Sequence, residues 1–231
     1  GFIPAAARLA DPKREASLQI YLPEAGLNLQ ALTDEVNDQL KERGHVVVVV
    51  SEGLDVGDLG ASKDSFGHTQ FSASETTVAQ VVVSHLNKVG LTARGTGRGQ
   101  VPGCDQRDTA VYAAVPDLDE AYRVGQKAVL IARDEGTGWM ATLLRKPGLI
   151  YSVDYGKVEL AKVANSERTF PKTWISRDGV DVTDDFVAYA RPLIGDDWVS
   201  VPTVGGRQRF ARLRPLFADK KCSAYTPQAY R

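Results

Sequence analysis

The stretch His45-Val46-Val47-Val48-Val49-Val50, closed by Ser51-Glu52-Gly53, decides how the rest of the chain is read. Consecutive valines lose rotamer freedom in a helix, and the run is short for one, so it predicts a buried strand. A strand apolar on both faces belongs to a parallel sheet covered by helices. In open α/β sheets ligands bind beyond the carboxyl ends of the strands. Glu52 falls there, with Gly53 beside it to let a ligand approach. It is the first candidate for gripping a hydroxylated ligand, although a solvated loop carboxylate is an equally good reading of its position alone.

Working outward, Leu18-Gln19-Ile20-Tyr21-Leu22 alternates and Pro23-Glu24 ends it, which predicts a second strand. Between the two, Leu29, Leu32, Val36 and Leu40 fall at helical spacing and Gly44 closes the helix. Strand, helix and strand succeed one another as a right-handed βαβ unit requires. Residues 53–74 read as a long loop or flap. A helix follows over Val78, Val81, Val82, His85, Leu86 and Val89, then a short strand over Leu91–Arg94. Residues 117–134 read as a helix capped by Asp117 or Asp119, residues 139–144 as a strand, and the 151–158 region as its partner. Residues 184–193 read as a helix with an acidic start, where Asp184 and Asp185 serve as cap and solvent face. Pro202, Pro215 and Pro227 mark an irregular C-terminal tail. The expected fold class is α/β, a Rossmann-like sheet flanked by helices, with residues 1–195 as the main domain and 196–231 as a C-terminal extension.

The chain has 231 residues and a formal net charge of −1, so no general attraction to nucleic acid or to an anionic membrane follows. The longest apolar run is too short to span a bilayer, and residues 2–10 lack a signal-peptide layout. Cys104 and Cys222 are far apart and lack metal-ligand spacing, which reads as a reduced, cytoplasmic chain. The start at Gly1 rather than Met reads as a fragment or a processed product. Gly95-Thr96-Gly97-Arg98-Gly99 has the wrong spacing for a dinucleotide loop. His45, His68 and His85 do not cluster, and His85 reads as a satisfied core residue. Cys104 has no local signature of a nucleophile. Arg107, in the loop Pro102-Gly103-Cys104-Asp105-Gln106-Arg107, suits bidentate binding of phosphate; a surface salt bridge is the competing reading.

Taken in order, several segments resemble the phosphofructokinase family, most closely its bacterial pyrophosphate-dependent members. Gly1-Phe2-Ile3-Pro4-Ala5-Ala6 resembles the helix start after the family's Met-Gly-Arg motif, and Val46 to Gly53 the strand ending in a substrate-binding Glu. Asp64-Ser65-Phe66-Gly67-His68 resembles a loop of the pyrophosphate-dependent members. Pro102 to Arg107 resembles Pro-Gly-(Tyr)-x-Gln-Arg, although Cys104 stands where many members carry Tyr. Residues 119–125, 163–168 and 184–194 continue the likeness, which covers nearly the whole chain.

The resemblance implies a phosphofructokinase-like fold and transfer of a phosphoryl group to the 1-hydroxyl of fructose 6-phosphate, with pyrophosphate as donor. An ATP-dependent relative and a non-catalytic effector-binding half are the alternatives. Glu52 would bind sugar hydroxyls and Arg107 the 6-phosphate, with Cys104, Asp105 and Gln106 shaping that pocket. The Gly-Gly-Asp, Thr-x-Asp-x-Asp and Met-Gly-Arg motifs would all precede Gly1. The chain therefore reads as the C-terminal portion of the enzyme, inactive alone, with the catalytic base and the Mg²⁺-bearing acid in an N-terminal portion. The family also implies a homo-oligomer.

Overall fold

In a computed structural model that describes residues 1–57, 77–103, 110–148, 150–217 and 219, and the backbone of 62–63 and 69–70, the alternation read in Leu18–Leu22 becomes the partition between two cores. Helix α1, Phe2–Ala5, and a 3-10 segment, Ala6–Ala10, precede strand β1, Leu18–Tyr21. Helix α2, Leu29–Arg43, and strand β2, Val47–Val50, complete the βαβ unit. The strands are parallel, Leu18 opposite Val47 and Tyr21 opposite Val50. Asn28 caps α2 by accepting the Ala31 N–H at 2.9 Å, and Gly44, at φ 74°, turns the chain out of it. The short strands β3, Ser62–Lys63, and β4, Thr69–Gln70, pair antiparallel. Helix α3, Val78–Val89, opens on a reciprocal capping box between Thr77 and Gln80.

Helix α4, Val115–Glu135, leads into an antiparallel hairpin of β5, Trp139–Arg145, and β6, Val153–Glu159. The one-turn helix α5, Leu160–Val163, and helix α6, Asp184–Ile194, follow. These elements lie in one unit, Gly1–Val199; Ser200–Arg231 forms a second. In the second unit β7, Thr203–Val204, and β8, Arg207–Gln208, pair across Gly205-Gly206. Both glycines have positive φ, 57° and 76°, as a tight hairpin turn of right-handed twist demands.

Tyr21 faces a core with Leu32, Val36, Leu54, Val78, Val82 and Leu86. Ile20 and Leu22 face the opposite one, with Ala5, Phe170, Val182, Phe186 and Ala190. The second core is aromatic: Phe170 and Phe186 lie 5.2 Å apart between ring centroids, Trp174 and Tyr189 4.6 Å. On β2, Val48 and Val50 pack on the first core and Val49 on the second, so the strand is apolar on both faces because both are used. The polar groups on β1 are satisfied: Tyr21 donates to Gln19 Oε1 at 3.0 Å, and Gln19 donates to the Glu35 carbonyl at 3.1 Å. Burial, with Glu35 and Asp178 nearby, pushes the Tyr21 phenol far above its usual range and keeps it a donor.

Arg8 is 1 % exposed. Its Nε donates to Asp181 Oδ1 at 2.9 Å, its Nη1 to the carbonyl and carboxylate of Asp11, and its Nη2 to the Leu18 carbonyl at 3.0 Å. Arg14 adds bonds to Asp181, Asp184 and the Val182 carbonyl.

Four expectations change. Leu91–Arg94 is not a strand, because Asn37 of α2 takes the Thr92 N–H at 2.8 Å and the Thr92 hydroxyl at 3.0 Å. Helix α4 begins at Val115, since Pro116 suits the first turn, and its cap is Ala114 rather than Asp117 or Asp119. At helix α6 the N-cap position is Thr183, whose hydroxyl makes no cap bond, and Asp184 pairs with Arg14. Val47 is 56 % exposed rather than buried, as β2 pairs only with β1 among the described residues. No helix among the described residues is long and apolar enough to cross a membrane.

Replacing Arg8 with Met keeps the apolar stem but removes the buried guanidinium from Asp11, Asp181 and the Leu18 carbonyl. Urea unfolding of Arg8→Met is expected to show a loss of about 3–5 kcal/mol with an unchanged slope. A loss within the range of an exposed ion pair, at most about 1 kcal/mol, would refute the structural weight given to this guanidinium.

Candidate functional site

Because β1 and β2 are parallel, both carboxyl ends open on the same edge of the sheet. Each is followed by a turn that carries a glutamate: Leu22-Pro23-Glu24 after β1 and Ser51-Glu52-Gly53 after β2. The two turns abut, since a Cβ built on Gly53 would lie 3.5 Å from Cγ of Pro23.

The turn that presents Glu52 is fixed at three points. Ser51 Oγ accepts the Gly53 N–H at 3.2 Å, the Ser51 carbonyl accepts the Leu54 N–H at 3.1 Å, and the Leu54 side chain is buried in the first core. Glu52 itself is exposed, with no hydrogen-bond or ion-pair partner among the described residues. A carboxylate presented to solvent on an anchored turn can accept hydrogen bonds from a polyhydroxylated ligand with little backbone rearrangement.

Glu24 was read only as the end of a strand, yet it is the counterpart of Glu52 on β1. Its Oε1 accepts the Phe170 N–H at 3.0 Å; its Oε2 is buried without a partner among the described residues. Burial by itself pushes this carboxyl up. The Phe170 N–H and its own N–H act against burial, and the carboxyl lies below the usual carboxylate range. The parallel register is the signal that could have found it.

Cys104, Asp105, Gln106 and Arg107 lie outside the described residues, as does Asp64–His68. The Gly103 that precedes them is exposed, in a turn at φ 60°, a conformation that favours glycine. His45 is exposed, its Nδ1 3.1 Å from the Arg43 carbonyl. His85 is not the satisfied core residue expected: it is half-buried on α3, and its Nε2 is buried without a partner. Elsewhere, Arg123, Gln126, Lys127 and Leu130 of α4 and Tyr155 of β6 line an open cleft of about 330 Å³ that holds none of the predicted site residues. Among the described residues no group of three or more His, Cys, Asp or Glu side chains is placed to hold a metal ion.

No family model matches the chain. It is 30% identical over 231 residues to the pyrophosphate–fructose 6-phosphate 1-phosphotransferase of Methylococcus capsulatus, across 97% of this chain and 53% of that protein. It is 33% identical over 205 residues to the protein of the same name from Rhodospirillum rubrum, across 84% of this chain and 50% of the relative. Among solved structures, the pyrophosphate-dependent phosphofructokinase of Nitrosospira multiformis superposes with a TM-score of 0.75 at 31% identity, over 97% of this chain and 52% of that one. The chain spans about half the length of the curated relatives it matches.

The Glu24 carboxyl is held low in the folded state, so its contribution to stability is present above the ordinary Glu value, about pH 4.3, and is lost as pH falls through the lower folded value. Urea midpoints of the parent and of Glu24→Gln are therefore expected to differ at pH 7 and to converge below about pH 4. A difference that stays constant across that range would show that the carboxylate does not act through its charge.

Proposed function

The chain belongs to the phosphofructokinase family, and from that membership we propose that it supplies the sugar-phosphate-binding part of an enzyme that moves a phosphoryl group from pyrophosphate to the 1-hydroxyl of fructose 6-phosphate. The observation that carries the reading is the anchored turn after β2, which presents Glu52 at the mouth of a parallel sheet. Its support is the likeness to enzymes of that name over nearly the whole chain.

Phosphoryl transfer rests on positioning and charge neutralisation more than on covalent chemistry. Glu52 accepts hydrogen bonds from sugar hydroxyls and fixes the orientation of the ring. Arg107 meets the 6-phosphate with its planar fork, a geometry that an ammonium does not reproduce. Cys104, Asp105 and Gln106 shape the pocket around that phosphate. In this assignment residues 1–195 carry the sugar-phosphate site, residues 196–231 are an extension, and the enzyme is a cytoplasmic homo-oligomer. The proton-accepting base belongs to the part of the enzyme that this chain does not span. Magnesium, when bound, neutralises the donor's charge; no step is assigned to it through this chain.

In the complete enzyme, Arg107→Ala is expected to raise the KM for fructose 6-phosphate about ten- to a hundredfold, because a charge-assisted pair with phosphate contributes roughly 1.5–3 kcal/mol. The KM for pyrophosphate should stay nearly unchanged, and Arg107→Lys should recover only part of the loss. Glu52→Gln should likewise raise the sugar-phosphate KM. Steady-state kinetics with each substrate varied separately decides the matter, and an unchanged fructose 6-phosphate KM in both variants would refute the site.

A further inference from the structure

We propose that Asn87 is a positioning residue for the stretch Pro102–Arg107: its side-chain amide fastens to α3 the chain that leads there, and so fixes the point from which that stretch starts; the inference rests on the sugar-phosphate reading above. Residues 91–100 join no strand. Side-chain amides hold them instead. An asparagine amide offers the donor and the acceptor of a peptide unit, so it can stand in for a ladder partner. Asn37 of α2 does this first, accepting the Thr92 N–H at 2.8 Å and donating to the Gly90 carbonyl at 3.3 Å.

Asn87 does it next, and on a single residue. Its Oδ1 accepts the Gly97 N–H at 2.7 Å, and its Nδ2 donates to the Gly97 carbonyl at 3.1 Å. Two residues on, a Cβ built on Gly99 would lie 3.1 Å from Cγ2 of Val83 and 3.6 Å from the Ala79 carbonyl oxygen. Only a glycine lets the backbone lie that close to the helix. Gly97 is thus held opposite Asn87, and Gly99 rests one to two turns nearer the start of α3. The chain runs back along the helix. The helix that presents Asn87 is itself fixed, by the Thr77–Gln80 capping box and by Val78, Val82 and Leu86 in the first core.

The clamp serves no core. Asn87 is exposed, as are Gly95, Thr96, Arg98, Gly99 and Gln100. Glycines at 95, 97 and 99 give this path no stiffness of its own. What Asn87 supplies is a fixed point on it. From Gly99 the chain passes Pro102 and Arg107 before the 3-10 turn Ala110–Tyr112. Without the clamp the nearest side-chain anchor falls back to Thr92, and the span that must hold Arg107 lengthens to residues 93–109. A guanidinium that grips a phosphate depends on close placement, and a lengthened tether loosens it.

The test measures the complete enzyme with each substrate varied separately. Asn87→Ala is expected to raise the KM for fructose 6-phosphate about three- to tenfold, less than loss of the guanidinium itself. The KM for pyrophosphate and kcat should hold, because the 6-phosphate lies away from the reacting hydroxyl. Melting should hold too, since Asn87 is exposed. Gly99→Ala, which crowds the same stretch off α3, should shift the same KM. Because Asn87 acts through Arg107, Asn87→Ala should add little in an Arg107→Ala background. Amide exchange across residues 95–100 should quicken in Asn87→Ala while that of α3 holds. Three results overturn the proposal: a parental fructose 6-phosphate KM in Asn87→Ala beside a raised one in Arg107→Ala, full additivity of the two substitutions, or a fall in kcat that tracks a fall in melting temperature. A parental KM in Arg107→Ala itself refutes the proposed function, and the role of Asn87 with it.

Discussion

A single guanidinium, that of Arg8, holds three separate parts of the chain in register. Through Asp11 it closes the 3-10 segment, through the Leu18 carbonyl it grips the start of β1, and through Asp181 it draws in the segment that packs against both. A buried cation without such partners would be strongly unfavourable, so the three segments cannot separate without exposing or stranding a charge. Beside it, Ile20 donates to the Val180 carbonyl at 2.8 Å, and Val180 and Val182 then fall into opposite cores on either side of β1. The placement of β1 fixes that of β2, and with it the edge from which Glu52 and Glu24 are presented.

Those two glutamates show how one register produces two different carboxylates. Glu24 is drawn inward by the Phe170 N–H and is spent within the fold. Glu52 stands outside the sheet on a turn braced by Ser51 and Leu54, open to a ligand. The difference is set by what each turn packs against rather than by the residue type. In the function proposed above, the exposed member is the one free to meet a ligand with many hydroxyls.

Much of this was legible along the chain. The alternation of Leu18–Leu22, the helical spacing from Leu29 to Leu40 and the Val run give the βαβ unit, because their periodicities are local. The hairpin of β5 and β6 was legible for the same reason. What was not legible depends on distant partners. Leu91–Arg94 has strand-like residues, but Asn37 claims the backbone of Thr92. Arg8 reads as an ordinary surface cation until Asp181 is brought to it. The location of Glu52 followed from the strand that ends there; the role of Glu24 required the second strand beside it. Residues 104–107 were read from motif alone, and the described structure leaves that reading where it stood.

The distance along the chain between Arg8 and Asp181, 173 residues, also orders events in time. Closing so long a segment has an entropic cost of about 4–5 kcal/mol before any contact rewards it. During synthesis at roughly 5–20 residues per second, Asp181 emerges about 10 to 35 seconds after Arg8. Through that interval α1, the 3-10 segment and the second-core face of β1 have none of Phe170, Val182 and Phe186 to cover them. Most of the first core is complete by Leu86, early in the chain. The nascent protein thus passes through a stage with one core largely assembled and the other still a bare strand face, the stage at which a chaperone would find it.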